Sequence, residues 1–312
     1  MCDMVSADGG VPACLPRWEL GYVWRPGGDA AFYIGACPDC NAILDPAHAQ
    51  NSAEGYSGTN SRGRLIIQNS EFDHNNTGFS TNSQNNDDQP SPQSGHCPGN
   101  ETGPTGTQSC WLFTHNSVHD NNNANVPFSP ADVGVPVGTG VLISGGRFDT
   151  VADNDIHDNG AWGVLLVPEV DTATPPPGAR CTGGIGLAVL CYFDDWGNEI
   201  ENNTLSHNGF FGNPSNVDLA EISNLEFPGN CWHGRSTPRA RSSAPGTFSS
   251  AAHGSPATRF SSSTSSTASA ESRTGAQGSL ASSVCRSPAT RSSSATARAP
   301  WSRTTRAGRR SR

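Results

Sequence analysis

Two arginines at comparable places in the chain are the leading candidates for chemistry. Arg62 ends the segment 59–62 and Arg147 ends the segment 144–147, and each segment follows an alternating apolar stretch. Removing a proton beside a carboxylate needs a cation on that carboxylate and a base near the carbon. Because the chain contains no Lys, we expect Arg62 and Arg147 to be the catalytic residues of such a reaction. The alternative is that each is a solvated corner arginine paired with a neighbouring acid.

Two adjacent pairs of acids supply candidate metal ligands. Asp87 and Asp88 stand near the start of a long polar segment, and Asp194 and Asp195 close another one. Carboxylate oxygens are the hard ligands that Ca²⁺ prefers in proteins, so we expect a Ca²⁺ site built from these four residues. The alternative is that they are ordinary solvated charges of a loop.

Four further polar residues are candidate substrate-binding groups because they lie at or just beyond the ends of alternating segments. They are Asn82, Asn85, Glu169 and Glu221. If these segments are stacked strands of one sheet, their ends meet at one edge. We therefore expect the four side chains to line a groove beside that sheet.

Four histidines lie within or beside repeated segments, but not in one register. His119 and His157 directly follow an apolar residue, whereas His74 and His207 come one position later. Because successive side chains of a strand point to opposite faces, we expect the two pairs to face in different directions. Corner or surface roles are therefore favoured over a single column of metal ligands.

A six-residue pattern that recurs four times predicts the fold. In one copy Asn154 is followed by apolar Ile156 and then by Asn159, and the other copies span residues 116–121, 203–208 and, with Ser in the first slot, 70–75. A repeat of this kind predicts a solenoid. We expect the Asn residues to occupy corners, since Asn tolerates the left-handed conformation and can stack through its amide.

Six alternating segments are predicted to stack as one parallel sheet: 31–35, 55–59, 78–82, 140–144, 163–167 and 217–221. Their inward column is predicted to contain Phe32, Tyr56, Phe79, Val141 and Val164. Three long insertions, 83–109, 122–137 and 168–190, interrupt the rungs. Loops of this length are usually functional or disordered, and we expect them to wall the groove.

The rungs resemble the right-handed parallel β-helix repeats of the pectate-lyase-like superfamily. Residues 138–167 (GTGVLISGGRFDTVADNDIHDNGAWGVLLV) are similar to rungs of secreted actinobacterial β-helix proteins in particular. The resemblance covers residues 29–233 and implies an all-β fold, a right-handed parallel β-helix with long loop insertions. It also implies the chemistry of β-helix lyases, which use Ca²⁺ held by acids and an arginine or lysine as base.

This fold does not choose an activity, because the superfamily includes lyases, hydrolases, epimerases and non-catalytic surface proteins. Two carboxylates at a suitable separation would also fit a glycoside hydrolase. The Arg-x-Lys and Gly-His-Gly signatures of polygalacturonase-type hydrolases do not occur in the sequence, which disfavours hydrolysis. We expect a lyase or epimerase acting on acidic polysaccharide, or alternatively a non-catalytic cell-surface or glycan-binding solenoid.

The net charge of −9 conceals a division of the chain. Residues 1–233 hold 27 acidic and 6 basic residues, whereas residues 234–312 hold 13 Arg and a single acid. An acidic body argues against nucleic acid as a partner and repels an anionic polysaccharide unless cations bridge the two. No apolar run is long enough to span a membrane. We expect the protein to be a monomer and its partner to be a polysaccharide.

Ten cysteines indicate an oxidising compartment. Four pairs are close in sequence, at 2 and 14, 37 and 40, 97 and 110, and 181 and 191, and three of them could close loops as disulfides. We read the CxxC spacing at 37–40 as structural, because neither the context of a redox motif nor a second pair of zinc ligands accompanies it. Because of these cysteines we expect an extracellular or cell-surface protein. No signal peptide opens the sequence, so we expect its targeting segment to be missing.

Both ends of the chain differ from the rungs. Residues 1–28 fit no period, and residues 234–312 are rich in Ser, Ala and Arg without strand alternation. Such a tail is typical of disorder, or of a GC-rich gene read out of frame. We therefore divide the chain at 1–28, 29–233 and 234–312, and expect an uncovered last rung near Val217–Ile222 and a free or mispaired Cys231.

Overall fold

A computed structural model describes residues 29–85, 91–99, 101–128, 135–172, 181–187, 189–222 and 229–233. Within these ranges the chain forms β-strands and no helix. The proposed division at residues 28 and 233 falls at the two ends of the described part. Asp87 and Asp88, residues 1–28 and the tail 234–312 all lie outside it.

The strands follow one another as successive rungs of a stack. The first three rungs comprise β1 (Ala30–Tyr33), β2 (Cys37–Leu44), β3 (His48–Gln50), β4 (Glu54–Thr59), β5 (Ser61–Gln68), β6 (Glu71–Asp73), β7 (Thr77–Asn82), β8 (Trp111–Thr114) and β9 (Ser117–His119). The remaining rungs comprise β10 (Thr139–Ser144), β11 (Asp149–Ala152), β12 (Asp155–His157), β13 (Trp162–Val167), β14 (Glu169–Asp171), β15 (Ile185–Leu187), β16 (Leu190–Phe193), β17 (Glu199–Glu201), β18 (Thr204–Ser206), β19 (Val217–Glu221) and β20 (Cys231–His233).

Three parallel sheets run along the stack. The first has the order β1-β4-β7-β10-β13-β19, the second β2-β5-β8-β11-β17-β20, and the third β18-β12-β9-β6-β3. Each of the first five rungs thus gives one strand to each sheet in turn, and the last described rung gives β19 to the first sheet and β20 to the second. This is the architecture of a β-solenoid. The third insertion adds a small antiparallel sheet of order β14-β16-β15. The all-β prediction and the predicted membership of the first sheet are confirmed.

The core is a set of inward-facing columns. In the first sheet Phe32 aligns with Tyr56, and Tyr56 with Phe79, and the column continues through Val141 and Val164. The rings of Tyr56 and Phe79 stack at a centroid distance of 4.7 Å. All of these residues except Phe32 are fully buried, and each such side chain contributes about 1.5–3 kcal/mol of apolar burial. The predicted column is confirmed.

Buried asparagines form ladders along two corners of the stack. Asn121 Nδ2 donates to Phe72 O at 3.0 Å and to Asn159 Oδ1 at 3.1 Å, while Asn121 Oδ1 accepts from the Asn75 backbone and side chain. Asn154 holds the same place in the parallel ladder. Each side chain therefore satisfies backbone groups of the neighbouring rung, which confirms the predicted amide stacking.

The left-handed corner residues are not the asparagines that we expected. His74, Asp120, Asp158 and His207 have φ of 53°, 52°, 55° and 55°, and each directly precedes a ladder asparagine. Asn, Asp and His all tolerate this conformation better than other non-glycine residues. The ladder asparagine itself is instead fixed by its hydrogen bonds across the rungs.

Three disulfides tie segments close in sequence: Cys37–Cys40, Cys97–Cys110 and Cys181–Cys191. They join three of the four pairs that are close in sequence, as the expectation of three disulfides allows, and the fourth pair, Cys2 and Cys14, lies outside the described residues. Cys231 is also disulfide-bonded, so the expectation of a free thiol is wrong. Among the described residues, no helix has the length and apolar character that crossing a membrane would require.

The last rung is better covered than expected. Leu219 and Ala220 are each only 8% exposed. Trp232 packs against the core and donates from Nε1 to Glu221 Oε2 at 2.9 Å. The end of the core near β19 is therefore not open, because a side chain from β20 helps to cover it.

Candidate functional site

The two predicted arginines lie on one line down the stack, at the corner between the first and second sheets. Parallel bridges join Arg62 to Ser94, Ser94 to Arg147, and Arg147 to Trp196. We call these four residues the arginine ladder. Neighbouring strands are about 4.8 Å apart, so the Arg62 and Arg147 backbones are roughly 10 Å apart. The structure thus brings the two arginines onto one flank.

Arg147 is held in place by the third insertion. Its Nη2 donates to Gly183 O at 2.5 Å, its Nε donates to Asp194 O at 3.4 Å, and its guanidinium lies 5.3 Å from the centre of the Trp196 ring. Burial lowers the pKa of Arg147, the charge of Asp194 opposes this shift, and the like charge of Arg62 adds to it. The guanidinium is therefore a positioned cation rather than a mobile surface charge.

Arg62 is the available partner. Its side chain is half-buried, and within the described ranges it forms neither a hydrogen bond nor an ion pair. Arg64, two residues along the same strand, is instead paired with Glu101. Of the two arginines on β5, Arg62 is thus the one whose donors have no partner among the described residues.

Aromatic side chains lie beside the arginine ladder. The Phe148 ring contacts Trp196 at 4.9 Å between centroids, edge to face, and the exposed His96 at 5.0 Å. Phe148 has φ of 55°, a conformation that is uncommon for a bulky residue and often marks a functional position. Sequence reasoning missed this aromatic group, although Phe148 directly follows Arg147 and Trp196 directly follows Asp195.

Three of the predicted acids belong to one internal network. Asn230 Nδ2 donates to Asp195 Oδ2 at 2.8 Å and to Glu221 Oε1 at 2.9 Å, and Tyr192 donates to Asp194 Oδ1 at 3.4 Å. Burial raises the pKa of Asp195 to about 8, and that of Tyr192 to about 12. Asp194 and Asp195 are therefore buried at this end of the stack, and Glu221 is half-buried beside them.

The proposed calcium ligands can be compared with this geometry. Asp195 Oδ1 is buried without a hydrogen-bond partner among the described residues, a situation that would suit a cation. However, in the described part of the chain a third His, Cys, Asp or Glu ligand does not converge with Asp194 and Asp195. Ca²⁺ prefers six to eight oxygen ligands. The described residues alone do not fit a Ca²⁺ site, and Asp87 and Asp88 lie outside them.

The remaining predicted binding residues lie under the insertions. Glu169 Oε2 accepts from Ser144 Oγ at 2.6 Å, and burial raises the pKa of Glu169 to about 7. Asn85 is fully buried, and its backbone N donates to Asp171 Oδ2 at 2.5 Å. Asn82 is half-buried at the end of β7. Asn85 and Glu169 thus join the first and third insertions to the stack.

The outer face of the first sheet carries small and apolar side chains, although we expected a groove lined by charged residues beside it. Leu142, Leu165 and Ala220 form a buried cluster there, and Ser80 precedes them on the neighbouring strand. The arginines lie beyond this face, at the corner. Recognition of a charged ligand is therefore favoured at the corner rather than along the sheet.

The histidines divide as their registers predicted. His119 and His157 lie on β9 and β12 of the third sheet with parallel rings 4.9 Å apart, whereas His74 and His207 occupy left-handed corners. Sequence reasoning missed His48, which lies on β3 of the same sheet. The six-residue pattern is not recognisable in that rung, because Ala47 and Ser52 occupy the two positions where other rungs have Ser or Asn.

No protein-family model matches the chain, and no curated protein or solved structure matches it significantly. What the site can do follows from its geometry: two arginines and two aromatic rings share one surface, and the neighbouring acids are turned inward.

Proposed function

We propose that the chain is a secreted right-handed parallel β-helix protein of the pectate-lyase-like superfamily that binds acidic polysaccharide at the arginine ladder. The observation that carries the proposal is the alignment of Arg62 and Arg147 on one flank, roughly two rungs apart. A polyuronate presents carboxylates at regular intervals, which suits cations fixed at a regular spacing. The three disulfides support an extracellular location.

The chemistry of the surface suits sugar acids. A guanidinium binds a carboxylate through two parallel N–H···O bonds, and Arg62, whose donors have no partner within the described ranges, can make them. Trp196 and Phe148 offer rings against which the apolar face of a sugar can pack. The acidic body repels a polyanion at long range, so binding depends on these local contacts.

Non-catalytic binding is favoured over proton abstraction. A base must have a free lone pair, whereas Arg147 donates to two backbone carbonyls and a guanidinium stays protonated in proteins. The lyase or epimerase reading is kept as a second candidate, because burial and Arg62 both lower the pKa of Arg147. Ca²⁺ enters the proposal only as an ion that would need ligands beyond the described residues.

The binding test uses the full-length chain and two polymers. Affinity for polygalacturonate is measured by calorimetry at low salt, with uncharged dextran as the control polymer. Arg62→Ala should weaken polygalacturonate binding about tenfold or more, because a charge-assisted hydrogen bond contributes about 1.5–3 kcal/mol. Arg64→Ala, which removes an arginine already paired with Glu101, should change it less than about twofold.

Equal losses in the two variants, or equal affinity for dextran, would contradict the proposal. The catalytic candidate is tested separately by the ultraviolet absorbance of unsaturated uronates, with and without Ca²⁺. If the wild type forms unsaturated uronates and Arg147→Ala does not, the arginine ladder is an active site and not only a binding site.

A further inference from the structure

A second polar cluster lies on the outer face of the third sheet. His48 on β3 aligns with Glu71 on β6, and Asp73 on β6 aligns with His119 on β9. The four side chains come from three successive rungs and share one face, since alternate residues of a strand point the same way. We call them the third-sheet cluster.

Three of these residues converge on one point. His48 Nε2 lies 2.5 Å from Asp73 Oδ1 and 3.9 Å from Glu71 Oε2. The ligand atoms of His48, Glu71 and Asp73 all lie within 4.8 Å of one another, and they form the one such group among the described residues. Ligands at about 2.0–2.2 Å from a tetrahedral zinc ion are about 3.3–3.6 Å apart. The separation of His48 from Glu71 is close to this value, whereas the direct hydrogen bond between His48 and Asp73 would have to open for an ion to enter.

Each carboxylate also has an outer partner that fixes it. His119 Nε2 contacts Glu71 Oε1 at 3.2 Å, and His119 Nδ1 contacts Asp120 Oδ2 at 3.0 Å. His74 Nδ1 contacts Asp73 Oδ2 at 2.5 Å. Hydrogen bonds of this kind orient ligands around a metal and tune its affinity. The arrangement leaves Asp73 Oδ1, Glu71 Oε2 and His48 Nε2 directed towards one another.

The strands of the third sheet fix the position of the cluster, and solvent can still reach its side chains. The side chains of His48, Asp73 and Glu71 are 16%, 9% and 40% exposed. A cavity of about 380 Å³ lies beside His48 and Glu71, and its lining also includes His115 and Ser117. An ion held by three protein ligands would therefore keep a coordination position open to water or to a small ligand.

We propose that His48, Glu71 and Asp73 bind a divalent transition-metal ion of the zinc class, with His119 positioning Glu71. An imidazole nitrogen together with two carboxylates suits Zn²⁺ and its neighbours. Ca²⁺ prefers a larger set of oxygen ligands. The site is separate from the arginine ladder, and it does not rest on the proposed binding of polysaccharide.

Calorimetric titration of chelator-treated full-length chain with ZnCl₂ tests the site. The wild type should bind one Zn²⁺ with an affinity that falls at least about tenfold in Asp73→Asn and in His48→Gln, both of which keep the side-chain size. His207→Ala should bind as the wild type does, since His207 lies in an exposed corner. Titration with CaCl₂ should give no comparable heat.

Two further measurements keep the outcome clear. Circular dichroism melting of each variant without metal shows whether it has folded, and Co²⁺ in place of Zn²⁺ should give visible bands that disappear in Asp73→Asn. Zinc affinity that is unchanged in both folded variants, or reduced as much in His207→Ala, would overturn the proposal. The same would follow if the wild type bound no Zn²⁺.

Discussion

The corner with the arginine ladder and the outer face of the third sheet are built on the same rungs but organise their charges differently. At the corner the long first and third insertions pack around Arg147, and the acids Asp195 and Glu221 bond inward to Asn230. On the third sheet the strands are three residues long, and His48 and Asp73 stand directly on them. One region depends on loops, whereas the other depends on the strands alone.

The contrast has a physical cause. A strand position fixes the direction of a side chain through backbone pairing, so groups at matching positions on neighbouring rungs meet without further help. A long insertion has to be anchored by its own contacts, here the Cys181–Cys191 disulfide and the bond from Arg147 to Gly183 O. Changes to the shared frame should therefore affect both regions, and changes to an insertion should affect only the corner.

The largest effect is expected from the asparagine ladder that supports the common frame. Asn121→Ala removes the donor to Phe72 O and the acceptor of Asn75 N, both buried. Each group left unsatisfied costs about 1–3 kcal/mol, so we expect a loss of about 3–5 kcal/mol in the free energy of unfolding. Denaturant unfolding measures it, and the exposed Asn125→Ala is the matched control. A loss below about 1 kcal/mol would show that the ladder is not a structural element.

Removal of the Cys181–Cys191 disulfide separates the two regions. The double replacement by Ser should cost about 2–3 kcal/mol, because the bond closes a short loop of the third insertion. It should also weaken polygalacturonate binding, since Arg147 loses its fixed carbonyl partner, while Zn²⁺ affinity stays unchanged. Calorimetry with each ligand measures both. A parallel loss of zinc affinity would mean that the two regions are coupled.

A smaller effect concerns the dependence of stability on pH at the corner. Asp149 is fully buried beneath the arginine ladder, and burial raises its pKa from 3.8 to about 8, with a partly opposing hydrogen bond from Gln93. The folded chain therefore binds more protons than the unfolded chain between these values, and the stabilisation is lost as the pH rises towards 8. The contribution is about 1.4 kcal/mol for each pH unit in this window.

Asp149→Asn should remove that contribution. The free energy of unfolding of the wild type should fall between pH 6 and pH 7 by about 1.4 kcal/mol more than that of the variant. The next two rungs carry Asn198 and Asn230 at the position equivalent to Asp149, and Asn198 Oδ1 accepts from Asp149 N. Asp155→Asn, at an exposed position of β12, is the control and should keep the wild-type slope. Identical slopes in wild type and Asp149→Asn would contradict the assignment.

The sheets and their register were predictable from the sequence because most rungs carry the same recognisable residue pattern. A glycine and an apolar residue mark each first-sheet strand from β4 to β13, and the alternation then fixes which side chains enter the core, as Phe79 and Val141 do. The Asn pattern marks the next corner. The first rung lacks this pattern, because Ala47 and Ser52 occupy the two positions and contribute only backbone N–H groups, which donate to Ser70 Oγ and Asn75 Oδ1. His48 was missed for that reason.

The arrangement of the insertions was not predictable in the same way. Arg62 and Arg147 could be placed on one flank because they occupy equivalent rung positions. The burial of Asn85 against Asp171 joins residues 86 apart in sequence, and no periodic pattern encodes such a contact. Likewise the left-handed residue at each corner could not be told from its neighbour by type, since His, Asp and Asn all accept that conformation.

The most direct test of the account compares two single variants in one assay. Affinity for polygalacturonate is measured at low salt for full-length Arg62→Ala and His48→Gln beside the wild type. We expect polygalacturonate affinity to fall about tenfold or more in Arg62→Ala and to stay unchanged in His48→Gln, because only the corner with the arginine ladder recognises the carboxylates. A loss confined to His48→Gln, or equal losses in both, would contradict it.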